Sequence, residues 1–76
     1  MDITQLRAFV TVAYEGNLTR AAERLHVTQP AVSLQIKSLQ TALNLMLFSR
    51  NASGMALTDD GAKLLPYAER VLASFN

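Results

Sequence analysis

Near the start of the chain Ile3, Leu6, Phe9, Val10 and Ala13 recur at helical spacing and make one apolar stripe. Asp2 and Gln5 stand three residues apart just before it, the spacing of a capping box. Gly16 then offers a left-handed stop free of any Cβ penalty. A second, shorter helix carries Ala21, Ala22 and Leu25, with Thr19 expected as its cap and Asn17 as a rival. The paired alanines let another helix cross closely. His26-Val27-Thr28 makes a turn without the glycine common at that point of two-helix motifs. Thr28 caps a third helix over about 29–42, with Pro30 in its first turn, where a missing N–H does no harm. Val32, Ile36, Leu39 and Leu43 follow at i, i+4, i+7 and i+11 and take the core side. Gln29, Ser33, Leu34 and Lys37 are left facing outward.

Two short apolar runs, Leu45–Phe48 and Met55–Thr58, flank the turn Asn51-Ala52-Ser53-Gly54 and predict a small β-hairpin over about 47–58. Leu43 to Phe48 is equally compatible with a continued helix. Thr58-Asp59-Asp60 opens a fourth helix, its carboxylates set against the positive helix end. Along it Leu64, Leu65, Ala68, Val71, Leu72 and Phe75 form a broad stripe. Pro66 lies inside that pattern and predicts a kink. The expected fold is therefore mainly α: a winged helix-turn-helix, with a three-helix core and a small β-hairpin wing, followed by a long linker helix.

Composition narrows the chemistry. Seventy-six residues allow one small domain, half of them hydrophobic. The net charge is only +1, but its distribution is uneven. Residues 20–50 carry Arg20, Arg24, Lys37 and Arg50 against Glu23 alone, a local +3, while each flank sums to −1. That concentration suits phosphate contact, and an ordinary solvated surface accounts for it about as well. With no cysteine and one histidine, a metal site has almost no donors, and no metal or cofactor is expected. His26 reads as a turn residue, Asp59-Asp60 as a helix start, and Ser33 has no neighbouring base. An enzyme is thus the weakest reading. No signal peptide or membrane-spanning stretch is evident, and a cytoplasmic location is expected. The apolar pattern is still running at Phe75-Asn76, so a fragment of a longer protein is expected.

Taken in order, Ala21-Ala22, Leu25, Val27–Ser33, Ile36, Leu39, Leu47-Phe48, Arg50, Leu57-Thr58 and Gly61 resemble the amino-terminal domain of LysR-type transcriptional regulators. The resemblance covers essentially the whole chain. It implies a bacterial transcription regulator whose third helix enters the major groove of double-stranded DNA. The hairpin would be a wing on the flanking backbone or minor groove. The fourth helix would pair two subunits antiparallel, so that a homodimer reads an imperfect palindrome. It divides the chain into a reading domain, 1–58, and a linker helix, 59–76. A small-molecule effector is expected only for a domain absent from this chain.

By position, the resemblance makes Gln29 the base contact, an amide suited to adenine. Pro30 would rest on a thymine methyl or sugar, and Thr28 and Ser33 would offer hydroxyls. Lys37 would reach phosphate or guanine and Arg50 phosphate, with Ser53 in the wing turn completing the set. Leu64, Tyr67, Ala68, Val71, Leu72 and Phe75 would face the partner subunit. Four positions depart from the family's habit. Leu34 stands where arginine is frequent, Gln40 where glutamate is usual and Asn44 where glycine is common, and the wing 51–55 has no basic residue. Leu34 reads either as a thymine-methyl contact or as an incidental exposed leucine. These departures predict weaker and less salt-sensitive DNA binding than is typical. The alternative reading is a protein–protein module on the same scaffold, marked by an apolar third-helix face.

Overall fold

The computed structural model describes residues 1–75. Helix α1 spans Ile3–Glu15, α2 Leu18–Leu25, α3 Gln29–Leu43 and α4 Asp59–Ala73; strands β1, Phe48–Asn51, and β2, Gly54–Leu57, lie between α3 and α4. The winged helix-turn-helix is therefore present in the expected order.

Local chemistry sets the helix boundaries. The Asp2 carboxylate accepts the Gln5 N–H at 2.9 Å, and the Gln5 side chain accepts the Asp2 N–H at 3.2 Å. Gly16 closes α1 at φ 66°. Helix α2 starts earlier than Thr19 would place it, because Asn17 is the cap and accepts the Arg20 N–H at 2.9 Å. With Gly16 turning the chain, Asn17 is already extended at φ −158°, and Thr19 falls inside the first turn. Thr28 caps α3 and Thr58 caps α4, each accepting the N–H three residues on. Helix α3 ends at Leu43 and does not run on toward Phe48, since Asn44 turns left-handed at φ 55°. His26 does the same for α2 at φ 58°, supplying the turn that glycine would usually make.

Leu6, Phe9, Val12, Leu18, Ala21, Ala22, Val32, Ile36, Leu39, Leu47, Phe48 and Ala68 are buried together. Ala8 and Val12 join the α1 face and widen it beyond the expected stripe, because α2, α3 and α4 all pack against that helix. Ile3, Val10 and Ala13 stay half-buried. Phe9 meets Phe48 with ring centroids 5.5 Å apart at a tilted 58°, so the first wing strand is fixed to the core by an aromatic pair.

The strands pair antiparallel, Phe48 with Leu57 and Asn51 with Gly54. The wing docks on the α1–α2 corner, where Met55 N–H donates to Gly16 C=O at 3.0 Å. A Cβ on Gly54 would lie 2.3 Å from that carbonyl oxygen, so this close approach requires glycine.

Helix α4 packs back on α1 and continues through Pro66 as one element. Pro66 and Ala62, whose carbonyl lacks its usual helical partner, are both exposed, so that oxygen opens to water. The Tyr14 hydroxyl donates to the Glu69 carboxylate, linking α1 to α4. That hydrogen bond and the carboxylate charge raise the phenol above its usual range.

Gly61 sits where α4 begins, buried against the chain entering the wing. A Cβ there would stand 2.2 Å from the Leu47 carbonyl oxygen. Helix propensity alone makes alanine better than glycine by about 1 kcal/mol. The contact reverses that sign, so Gly61→Ala should destabilise the fold by about 1–3 kcal/mol in thermal or denaturant unfolding. Exposed Ala62→Gly, one residue on, should cost only the ordinary ~1 kcal/mol. A neutral or stabilising G61A would mean that the approach of α4 to Leu47 is loose.

Candidate nucleic-acid interface

The core side of α3 is taken by Val32, Ile36 and Leu39, so Pro30, Leu34 and Lys37 stand exposed away from it, with Gln29 and Ser33 half-buried along its flank. Opposite this face stands the wing. Between them runs a groove of about 560 Å³ whose walls include Ser33, Lys37 and Gln40 from α3 and Ser49 and Arg50 from β1. Its floor is apolar, with Ile36, Phe48 and Met55. A second groove brings Gln29 together with Asn17 and Thr19 at the start of α2 and with Arg50 and Ser53 of the wing. Arg50 lines both.

Five of the expected contact residues, Gln29, Ser33, Lys37, Arg50 and Ser53, thus gather around adjoining grooves. Thr28, Pro30 and Leu34 line neither and stand exposed at the entry and outer edge of α3. Thr28 is partly committed, since its hydroxyl oxygen accepts the Ala31 N–H at 3.3 Å. Ser53 is committed too: its N–H and hydroxyl both donate to the Asn51 side-chain oxygen, at 3.0 and 3.3 Å. Residues at the wing tip are therefore held by their own turn.

The local positive charge divides once the chain is folded. Arg24 pairs with Glu15 at 3.3 Å, and Arg20 lines the same mixed-charge hollow with Glu23. Of the four cations between residues 20 and 50, only Lys37 and Arg50 stand at the grooves beside α3. The linear charge pattern therefore overstated the positive field of this face.

Three contributors lie outside the expected set. Asn17 and Thr19 bring the α2 N-terminus to the second groove, signalled in the sequence only by their capping character. Gln40 is the third. Its side-chain oxygen accepts the N–H of Leu47 at 2.8 Å and of Phe48 at 3.3 Å, joining α3 to the root of the wing. As a neutral acceptor it performs this bridging without a buried charge.

Residues 3–62 match the family described as bacterial regulatory helix-turn-helix protein, lysR family. The chain belongs to this family. Among curated relatives, this LysR-family chain is 46% identical over 72 residues to the HTH-type transcriptional regulator CfxR of Cupriavidus necator, covering 95% of the chain and 23% of that protein. It is 46% identical over 76 residues to the regulator BsdA of Bacillus subtilis, covering 99% of the chain and 26% of that protein. The chain therefore spans about a quarter of the length of these relatives. Among solved structures, the CbnR DBD–DNA complex superposes with a TM-score of 0.92 at 40% identity, covering 96% of this chain and 84% of that one. The BenM DBD complex with catB site 1 DNA gives 0.94 at 33% identity, covering 99% and 84%. These relatives are transcriptional regulators rather than enzymes. Among the described residues no helix is long and apolar enough to cross a membrane.

In this LysR-family fold the Gln40 bridge is the testable joint between helix and wing. Gln40→Leu removes the partner of the part-buried Leu47 N–H and should cost about 1 kcal/mol, with faster amide exchange at Leu47. Gln40→Glu retains the acceptor and should keep that amide protected. Equal exchange in all three proteins would show that the joint is held by packing alone.

Proposed function

We propose that this chain is the duplex-DNA-reading module of a LysR-type transcription regulator, with α3 in the major groove and the wing on the flanking backbone or minor groove. The observation that carries the reading is the convergence of Gln29, Ser33, Lys37, Arg50 and Ser53 on two adjoining grooves between α3 and the wing. Gln29 is the residue for adenine, through paired donor and acceptor, and Pro30 is an apolar neighbour to it. Thr28, Ser33 and Ser53 offer hydroxyls, and Lys37 and Arg50 set the register on phosphates. Solved relatives whose DNA-binding domains are complexed with DNA support duplex binding.

On this reading residues 1–58 form the reading body and α4, Asp59–Ala73, the coupling helix; the expected span 59–76 ends on Asn76, which lies outside the described residues. Ala68 leaves the set expected to face a partner, because it is buried in its own chain at 1% exposure. Leu64 and Leu72 are partly buried against the same core. Tyr67, Val71 and Phe75 remain exposed at 61%, 43% and 65%, and we assign these three to a homodimer contact that presents two reading heads to an imperfect palindrome. An effector would act through a further domain of the whole regulator.

Amide-resolved NMR titration with a short duplex, at low and then physiological salt, tests the central claim. Shifts should gather at residues 28–37 and 50–55 and fade as salt rises; an unchanged low-salt spectrum moves the reading to a protein partner. Two cations per domain at the grooves set the electrostatics: a bound pair neutralising four phosphates should give a log–log salt slope of about −3 to −4. A slope of about −6 or steeper contradicts that count. Replacing Val71 and Phe75 by aspartate should leave a folded monomer in sedimentation, and a persisting dimer places the partner surface elsewhere.

A further inference from the structure

The outward face of α3 carries one side chain that its polar neighbours do not explain. Leu34 is 61% exposed, although Val32, Ile36 and Leu39 already fill the core side of the helix. Its neighbours one turn away are Pro30, Ala31, Lys37 and Ser38, so it forms no broad apolar patch of the size a protein partner needs. With exposed Pro30 it makes a two-residue apolar strip on a face otherwise built from an amide, a hydroxyl and an ammonium.

We propose that Leu34 is a specificity-determining residue that reads a thymine C5-methyl group in the major groove. The inference rests on the DNA reading above. Phosphate and sugar give a leucine little to bind, and the major-groove edges of the unmodified bases carry one methyl group, that of thymine. Covering that methyl removes apolar surface of both partners from water, and no hydrogen bond is lost from Leu34. Leu34 stands five positions beyond Gln29, about 7.5 Å along the helix axis and roughly 140° around it, and shares its side of α3 with Pro30 and Lys37. The thymine read by Leu34 therefore lies on a base pair other than the one whose adenine Gln29 reads. The preference is for an A·T-containing core, where an arginine at this position would instead favour guanine.

Random short duplexes are selected on the chain at low salt, and the best is resynthesised with each thymine in turn replaced by deoxyuridine, which removes the methyl alone. Affinities are read by fluorescence anisotropy for the wild-type chain and for Leu34→Ala. Leu34 is exposed, so the variant should fold, and its helical content by circular dichroism checks this. The expected result is one thymine, on a base pair other than that of the Gln29-dependent adenine, whose methyl is worth about fourfold to the wild type and nothing to L34A. The Gln29-dependent adenine is located with Gln29→Ala and 7-deazaadenine. Equal uracil sensitivity in both proteins assigns the methyl to Pro30 and overturns the inference, as does a wild type indifferent to every methyl. Failure to enrich any duplex over random DNA overturns the DNA reading itself, and this inference with it.

Discussion

The peptide of Leu47 is the joint on which the arrangement of helix, wing and linker depends. Its N–H donates to Gln40 on α3, and its C=O accepts the Thr58 N–H at 3.0 Å, where the wing ends and α4 begins. The same carbonyl sits where any Cβ on Gly61 would fall, and the Leu47 side chain is fully buried. One residue earlier, Met46 C=O accepts the Thr58 hydroxyl at 2.5 Å. Three elements distant in sequence are thus referred to two consecutive peptides. These polar groups satisfy one another in a part-buried region, so displacing one costs about 1 kcal/mol where water can take its place. The wing is therefore not a free hairpin, which as an isolated two-stranded unit would be marginal in water. It is held at its root by Leu47 and Phe48, and partway along by the hydrogen bond of Met55 to Gly16.

What could be read from the sequence was local. Caps such as Asp2, Thr28 and Thr58 and the stop at Gly16 act over three or four residues, and their chemistry is visible in a short window. The core stripe of α3 was legible for the same reason, and so was the outward set from Gln29 to Lys37 that follows from it. Asn17 and Thr19 were hard to separate because both are good caps two residues apart. The outcome turned on Gly16 setting the chain extended immediately after it. The family resemblance drew Arg50 and Ser53 into the proposed contact set, which no periodicity could have done, and the fold places both on the grooves beside α3.

The rest depended on long-range placement. Nothing near Gln40 indicates that its side chain spans to Leu47 and Phe48, nor does anything near Gly61 indicate a carbonyl overhead. Ala68 lies on the same helical stripe as Val71 and Phe75, and only the packing of α4 on α1 separates the inward alanine from the outward pair. Charge behaved likewise. Arg20 and Arg24 are near Lys37 in sequence, but the fold turns them toward Glu15 and Glu23. A linear sum of charges could not anticipate that partition.

The two ends of α3 carry a further cost. His26 and Asn44 both hold left-handed backbone just outside α3, at φ 58° and 55°. Each adjoins a six-residue helix-end hydrogen bond, Val27 N–H to Ala22 C=O and Leu45 N–H to Gln40 C=O, both 3.1 Å. A non-glycine residue there costs about 1 kcal/mol against glycine. Histidine and asparagine are among the side chains that bear it best. Glycine at these points would relieve the strain but also widen the backbone freedom where the chain enters and leaves α3. The small loss of stability falls where a fixed approach angle matters most. A helix that reads bases over a few ångströms can use its side chains only if both of its ends are set.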